Sequence, residues 1–363
     1  MRADVLILGG GPAGITTALG LLRLGISAAI VASHGSAGGI PVEVLAPEVK
    51  PELASLGVAS TGWTDVGMAC YGLEAAWGGA VPLSYSFLRH PHGDGIAIER
   101  GDLHRLLLQH AIEAGAHQHA TRFVSAERIA KGWRVMLKGS EAAEQVECRL
   151  LVDATGKAAV IARYMGARVV RYDNLCCVAA LLDKPKQKHM LAVASSAYGW
   201  WYATPTPDGR TLVCFVSDAD VIRRLGATRS DSWLALLQPI ARILSIGDLP
   251  TRVTLAAYPC ESAHIDSMGT GWIAVGDAGA SFDPLSAMGV LRAIRSGRGA
   301  SEAIMSYLRG NGDALMDFAR AERNTFDAYL RARQGQYGLE CRFPQHAFWR
   351  RRTKLIGSTS AFD

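Results

Sequence analysis

The 363-residue chain contains no CxxC pair. Its seven cysteines stand at 70, 148, 176, 177, 214, 260 and 341. That spacing fits neither a disulfide framework nor a zinc centre, and it implies reduced thiols in a cytoplasmic setting. Charge of one sign is also scarce. Lys and Arg total 38 and Asp and Glu total 33, so the net charge is +5, too little for a nucleic-acid-binding surface. There is no Gly-X-Y period, internal repeat or low-complexity tract, which excludes collagen-like and solenoid architectures. Val5–Leu22 is long, apolar and uncharged, but Gly9-Gly10-Gly11-Pro12 interrupts it, and no other stretch is long and apolar enough to span, so no membrane insertion is expected. With 49% hydrophobic and 20% charged residues the chain is neither disordered nor fibrous, and its length suits two domains or one large one.

Glycine, by contrast, is plentiful at 39 residues, and its placement is informative. The apolar run Asp4–Leu8 ends in Gly9-Gly10-Gly11-Pro12-Ala13-Gly14. A helical stretch Ile15–Leu24 follows, with Gly25 as a C-cap, and then a second apolar run Ser27–Ala32. This is the strand–turn–helix–strand order of a dinucleotide-binding fold, with GxGxxG at Gly9, Gly11 and Gly14. Gly9 permits the tight turn, Gly11 admits a pyrophosphate to the backbone, and Gly14 lets helix and strand pack closely. Pro12 and Ala13 open the helix, whose free N–H groups attract phosphate. One expected group is missing. The carboxylate for ribose hydroxyls should come ~20 residues on, where the chain reads Ala32-Ser33-His34. Ser33, His34 and Glu43 are the candidates to replace it.

Two later motifs go beyond a simple nicotinamide dehydrogenase. Leu150–Asp153-Ala154-Thr155-Gly156 is a strand ending in a small turn. Gly271–Val275 is a strand that delivers Gly276-Asp277, and Asp283-Pro284-Leu285-Ser286-Ala287-Met288-Gly289 opens a helix to about Tyr307. An Asp at the end of such a strand accepts hydrogen bonds from sugar-like hydroxyls, and a loop shaped by Pro284 and Gly289 presents amide groups to an electron-rich ring. GxGxxG, DATG and GD with DPxxxxG, in this order, resemble the signatures of FAD-dependent monooxygenases of the p-hydroxybenzoate hydroxylase type. The resemblance implies FAD as cofactor, Asp277 on the ribityl chain, and Arg100, at the start of the helix Arg100–Leu107, against the FAD. It also implies an α/β fold: a Rossmann-like, glutathione-reductase-like FAD-binding domain interleaved with an antiparallel β-sheet substrate domain and C-terminal helices. The corresponding boundaries are 1–75, 95–165 and 260–310 for the FAD-binding domain, 76–94 and 166–259 for the substrate sheet, and 311–363 for a C-terminal helical segment. With one GxGxxG only, reducing equivalents are expected from transient NAD(P)H or from a separate reduced-flavin donor.

Between the motifs, strands are expected at Leu175–Leu182, Leu191–Val193, Trp200–Thr204, Thr211–Val216 and Val253–Ala257, and in Phe123–Leu137 with Val146–Val152. Helices are expected at Asp231–Ser245 and Ala300–Ala332. Gly199-Trp200-Trp201-Tyr202 leading to Pro205 is close to the WxWxxP of flavin-dependent tryptophan halogenases. The halogenase lysine has no counterpart, since Gly72–Gly78 lacks lysine and none occurs between Lys50 and Lys131. Ala75–Gly78, Gly199–Gly209 and Ser281–Gly289 instead resemble halogenase-related flavoproteins that modify a peptidyl tryptophan in cysteine tryptophylquinone biogenesis, partners of lysine and glycine oxidases and quinohemoprotein amine dehydrogenase. That resemblance implies hydroxylation of a tryptophan in a partner precursor protein through a flavin C4a-hydroperoxide. The alternatives are a hydroxylase, halogenase-like enzyme or reductase acting on a small aromatic or isoprenoid compound, and a non-enzymatic flavin-binding chaperone. Trp77, Trp200 and Trp201 are candidates to line an aromatic cavity. Glu74, Asp283 and His264 are candidate bases among which the sequence does not choose. The basic tail Arg350–Lys354 reads as a solvated end or as a patch for an acidic partner.

Overall fold

A computed structural model describes residues 2–32, 39–58, 63–139, 143–184 and 188–353. Five parallel strands form the central sheet, in the order Trp272–Ala274, Ala143–Asp153, Arg2–Leu8, Ala28–Val31, His117–His119. The middle strands are apolar on both faces, as a sheet covered on both sides requires. Helices Pro12–Arg23, Arg100–Glu113 and Gly289–Leu308 cover one side. The antiparallel strands Arg122–Ile129 and Gly132–Lys138, which pair onto the start of Ala143–Asp153, cover the other together with helix Val160–Tyr164. The first helix closes at Leu24, and Gly25 follows at φ +74°, the left-handed position glycine fills at low cost.

A second sheet has seven strands, in the order Ala256–Pro259, Leu175–Leu182, Thr211–Asp218, Gly199–Pro205, Leu191–Ser196, Gly72–Ala76, Leu83–Ser86. All neighbours are antiparallel except Leu191–Ser196 with Gly72–Ala76. One face packs on Trp233, Leu237 and Leu244. The other turns toward the central sheet and carries Trp200, Cys177 and Cys214 against Val42, Tyr337, Phe348 and Trp349. The expected mixed α/β architecture with an antiparallel sheet and C-terminal helices is therefore present. No helix among the described residues is long and apolar enough to cross a membrane, and all seven cysteines are free thiols.

Three expected elements differ. Asp231–Ser245 is not one helix: Ser230–Leu237 gives way to a 3-10 turn at Gln238–Ile240, where Pro239 lacks an N–H. The long helix Ala300–Ala332 is two helices, Gly289–Leu308 and Ala314–Gly338, separated at Gly310, whose φ of +106° breaks the run. The last sheet strand starts at Ala256 rather than Val253, because the Val253 N–H is taken by Ser230 Oγ at 2.9 Å.

Candidate FAD site and the facing aromatic wall

The glycine turn is built by close approach. A Cβ at Gly9, whose φ is +115°, would lie 2.1 Å from the Ala154 carbonyl oxygen, and one at Gly14 would lie 2.1 Å from the Gly9 oxygen. Ala154 belongs to the DATG turn, so the first and second motifs hold each other. Asp153 fixes that contact: its carboxylate accepts from Thr155 N and Oγ1 at 3.0 and 2.6 Å and from Ala162 N at 2.8 Å. Gly11 is different. Nothing stands within 4 Å of the position its Cβ would take, so its backbone is open. Pro12 occupies the start of the helix Pro12–Arg23, where no N–H is needed, and Ala13 packs beneath Gly276.

A Cβ at Gly276, whose φ is +57°, would stand 2.7 Å from Ala13 Cβ, and the Gly276 N–H donates to Ser296 Oγ at 3.0 Å. The turn this creates presents Asp277 to solvent at the end of the strand Trp272–Ala274. Protein crowded around Asp277 pushes its carboxyl up, while Lys157 and Arg100 pull it down. Lys157, Arg163, Arg171, Glu261, Asp277 and Ser281 line a narrow cleft of about 10 Å³. Lys157, one residue beyond DATG, was not singled out by the sequence. Its ammonium is held by the Pro259 carbonyl at 3.0 Å and Glu261 at 3.5 Å.

Glu43 and Arg100 meet. Glu43 lies on the strand Val42–Leu45, Arg100 opens the helix Arg100–Glu113, and the two side chains form an ion pair. Arg100 Nε also donates to the Ile40 carbonyl at 3.1 Å. Burial raises the Glu43 carboxyl, Arg100 lowers it, and Asp277 adds repulsion, so Glu43, Arg100 and Asp277 share one electrostatic neighbourhood. Ser33 and His34 lie outside the described residues. Pro284 opens a 3-10 turn, Ala287 follows at φ +49°, and Gly289 begins the helix Gly289–Leu308. Asp283 caps this loop by accepting from Leu285 N at 2.8 Å.

The seven-stranded sheet supplies the opposing wall. Trp200 and Tyr202 share one face, and Trp201 points to the other, as alternation along a strand demands. Trp201 is therefore packed against Trp233 and Phe215 and does not join Trp77 and Trp200 as expected. Trp77 stands edge-on to Trp200, Tyr337 and Trp349, at 6.3, 5.8 and 5.6 Å between centroids. Trp200 Nε1 donates to Tyr337 Oη at 3.0 Å, which donates to Asp283 Oδ2 at 2.7 Å. Ile40 and Val42, beside Glu43 in sequence, pack into the same cluster as Trp200 and Tyr202, and the Ile40 carbonyl accepts from Arg100, so this wall adjoins the segment that carries the Glu43–Arg100 pair.

The candidate bases are otherwise engaged. Glu74 sits on the opposite side of its strand from Trp77 and pairs with Lys188 at 2.6 Å. Asp283 is buried, which raises its carboxyl, and its oxygens serve Leu285 and Tyr337. His264 lies in the small sheet beside Phe326 and Arg323, and burial lowers its pKa. The basic tail is also used internally. Arg352 is buried against Phe348 and bonds Asp218 at 2.5 Å, and Arg351 bonds Asp218 and Asp220 at 2.7 and 2.8 Å. Two of its charges are thus paired within the chain.

A glycine cradle joined to a second strand's Gly-Asp turn, with a separate sheet facing it, defines an FAD-binding enzyme fold. Residues 2–333 match the FAD binding domain family, and the chain belongs to it. It is an FAD-dependent oxidoreductase. Over 362 residues it is 26% identical to LodB of Marinomonas mediterranea, named as an FAD-dependent oxidoreductase, covering 96% of each chain. Among solved structures it superposes on the flavin-dependent halogenase CmlS with TM-score 0.86 at 22% identity, over 99% of this chain and 68% of that one. It superposes on the peptidyl tryptophan dihydroxylase QhpG, essential for tryptophylquinone cofactor biogenesis, with TM-score 0.81 at 22% identity, over 100% and 81%.

Proposed function

We propose that this protein is a monooxygenase that hydroxylates a tryptophan carried by a partner polypeptide during tryptophylquinone biogenesis. The observation that carries the reading is the wall formed by Trp77, Trp200 and Tyr202. It is aromatic, packs against Ile40 and Val42 beside the Glu43–Arg100 pair, and has no lysine in the adjoining Gly72–Gly78 segment. An electron-rich indole packs on such a wall edge-to-face. The full-length similarity to LodB and the fold shared with the peptidyl tryptophan dihydroxylase support the same reading.

The residues fit FAD. Gly9 and Gly14 close the turn, Gly11 leaves its backbone open, and Pro12 and Ala13 begin the helix whose N-terminus would face the pyrophosphate. Gly276 and Asp277 would receive the ribityl hydroxyls, Arg100 and Glu43 would border the cofactor, and the Pro284–Gly289 loop would offer its amides to the flavin ring. The FAD-binding part is assigned to 1–71, 95–165 and 260–310, with Gly72–Ala76 counted with the sheet into which it pairs. Bound FAD, reduced by external NAD(P)H or a reduced-flavin donor, supplies the oxygen chemistry: one atom of O2 enters the indole and the other leaves as water. The chain's own residues orient the indole and keep water from the wall. Co-expression with a quinoprotein precursor tests the reading: it gains oxygen in steps of ~16 Da on a tryptophan. A precursor of unchanged mass, with flavin reduction accelerated instead by a free aromatic or isoprenoid compound, would replace this reading with a small-molecule one.

A further inference from the structure

The described surface concentrates its large exposed apolar side chains in one short stretch. Val81, Leu83, Tyr85 and Leu88 are 77, 76, 61 and 87% exposed, and Tyr71 stands nearby. Leu83–Ser86 is the terminal strand of the seven-stranded sheet and is exposed at all four residues. Its outer side has no strand partner among the described residues, so its free N–H and C=O groups are available for pairing. Beside it, Tyr85, Ser86, Leu88, Arg89, His90 and Pro91 line an open hollow of about 380 Å³. No carboxylate occurs in the sequence between Glu74 and Asp94, whereas Arg89, His90 and His92 do, and His90 Nε2 stands 3.3 Å from the Glu48 carboxylate.

The register connects this edge to the aromatic wall. Leu83 lies opposite Ala75 and Tyr85 opposite Leu73. Ala75 lies opposite Val193, Val193 opposite Tyr202, and Ser195 opposite Trp200. Directly opposed residues share a face. Leu83 and Tyr85 therefore extend, out to solvent, the same face that carries Tyr202 and Trp200 inside.

We propose that this edge is the docking site for an extended, acidic and apolar segment of the partner polypeptide, added as an eighth strand beside Leu83–Ser86. The proposal rests on the partner-tryptophan reading above. Main-chain hydrogen bonds to the edge give affinity, Leu83 and Tyr85 receive alternate apolar side chains, and the Arg89 guanidinium selects a carboxylate. Four strand spacings of about 4.8 Å separate an added strand from Gly199–Pro205, roughly 19 Å in all. About six extended residues span that distance, so the target tryptophan lies at least that far along the chain from the docked segment.

The test uses a short fluorescein-labelled peptide alternating Asp with Val. Fluorescence anisotropy is read on the intact FAD-loaded protein and on L83D/Y85D and L88D, variants of exposed residues whose FAD content and circular dichroism report folding. The expected result is saturable binding, weakened about tenfold or more by L83D/Y85D and by N-methylation of alternate peptide amides. Absent binding, or binding indifferent to both changes, overturns the proposal. So does a wild-type dimer that becomes a monomer in L83D/Y85D on sedimentation, since a second copy would then occupy the edge. The two readings fail separately. Oxygen transfer to a precursor by L83D/Y85D at unchanged KM overturns the docking site alone, whereas edge binding with no oxygen transfer to any tryptophan overturns the proposed reaction alone.

Discussion

At the scale of single residues, the site depends on side chains that are absent as much as on those present. Gly9 combines a left-handed φ with a backbone oxygen 2.1 Å from where a methyl would be. Neither can relax without moving the DATG turn, so Gly9→Ala is expected to cost about 3 kcal/mol or more, read as a lower unfolding midpoint together with loss of the yellow colour. Asp277 makes the opposite kind of contribution. It is solvent-open in a crowded, partly basic neighbourhood, which suits a carboxylate that accepts hydrogen bonds from hydroxyls. Asp277→Ala should weaken FAD binding by tenfold or more, about 1.4 kcal/mol, with the fold retained. Equilibrium dialysis that finds unchanged FAD affinity would remove Asp277 from the site.

At the scale of elements, one buried carboxylate joins three of them. Glu340, just beyond the helix Ala314–Gly338, accepts from Gly78 N at 2.9 Å and Ser195 Oγ at 2.5 Å and pairs with Arg342 at 2.6 Å. It thereby ties the Trp77 loop and the strand Leu191–Ser196 to the C-terminal helices. Burial opposes its charge, but the Arg342, Ser195 and Gly78 hydrogen bonds prevail and bring its pKa down to about 2. A carboxyl lowered in the folded state stabilises above its ordinary value of 4.5 and loses that contribution as the pH falls toward 2. Glu340→Gln is expected to cost about 2 kcal/mol at neutral pH and to flatten the acid limb of a melting-temperature profile between those values. A variant whose acid limb matches the parent's would show that Glu340 carries no such linkage.

The same scale shows what was legible in the sequence. Gly9–Gly14, the DATG turn and the Gly276-Asp277 turn act through local backbone geometry, so their spacing alone locates the strands and the helix they join. The separation of Trp200 from Trp201 was available from strand alternation but obscured by the adjacent indoles. Pro239 and Gly310 marked real breaks that apolar periodicity bridged over. Glu340, Tyr337 and Lys157 were not legible. Their partners lie far along the chain, as with Glu340 and Gly78 or Tyr337 and Trp200, and no local pattern encodes such meetings. The pairing of Arg351 and Arg352 was hidden for the same reason: Asp218 and Asp220 lie far back along the chain.

At the scale of the whole molecule, two sheets divide the work. The central parallel sheet brings its glycine turns together at the proposed FAD site. The seven-stranded sheet presents an aromatic inner face and an apolar, cationic outer edge along one continuous surface. The proposed arrangement sets the flavin on the first sheet and a partner's tryptophan against the second. The most direct test is intact-mass and tryptic-peptide mass spectrometry of a tryptophylquinone-type precursor co-expressed with the wild-type enzyme or with Asp277→Ala. The expected result is addition of one or two oxygens, in steps of ~16 Da, confined to a tryptophan, with the wild type and none with Asp277→Ala. A precursor that stays unmodified while the enzyme, FAD-loaded, consumes reductant and O2 would contradict the proposed reaction.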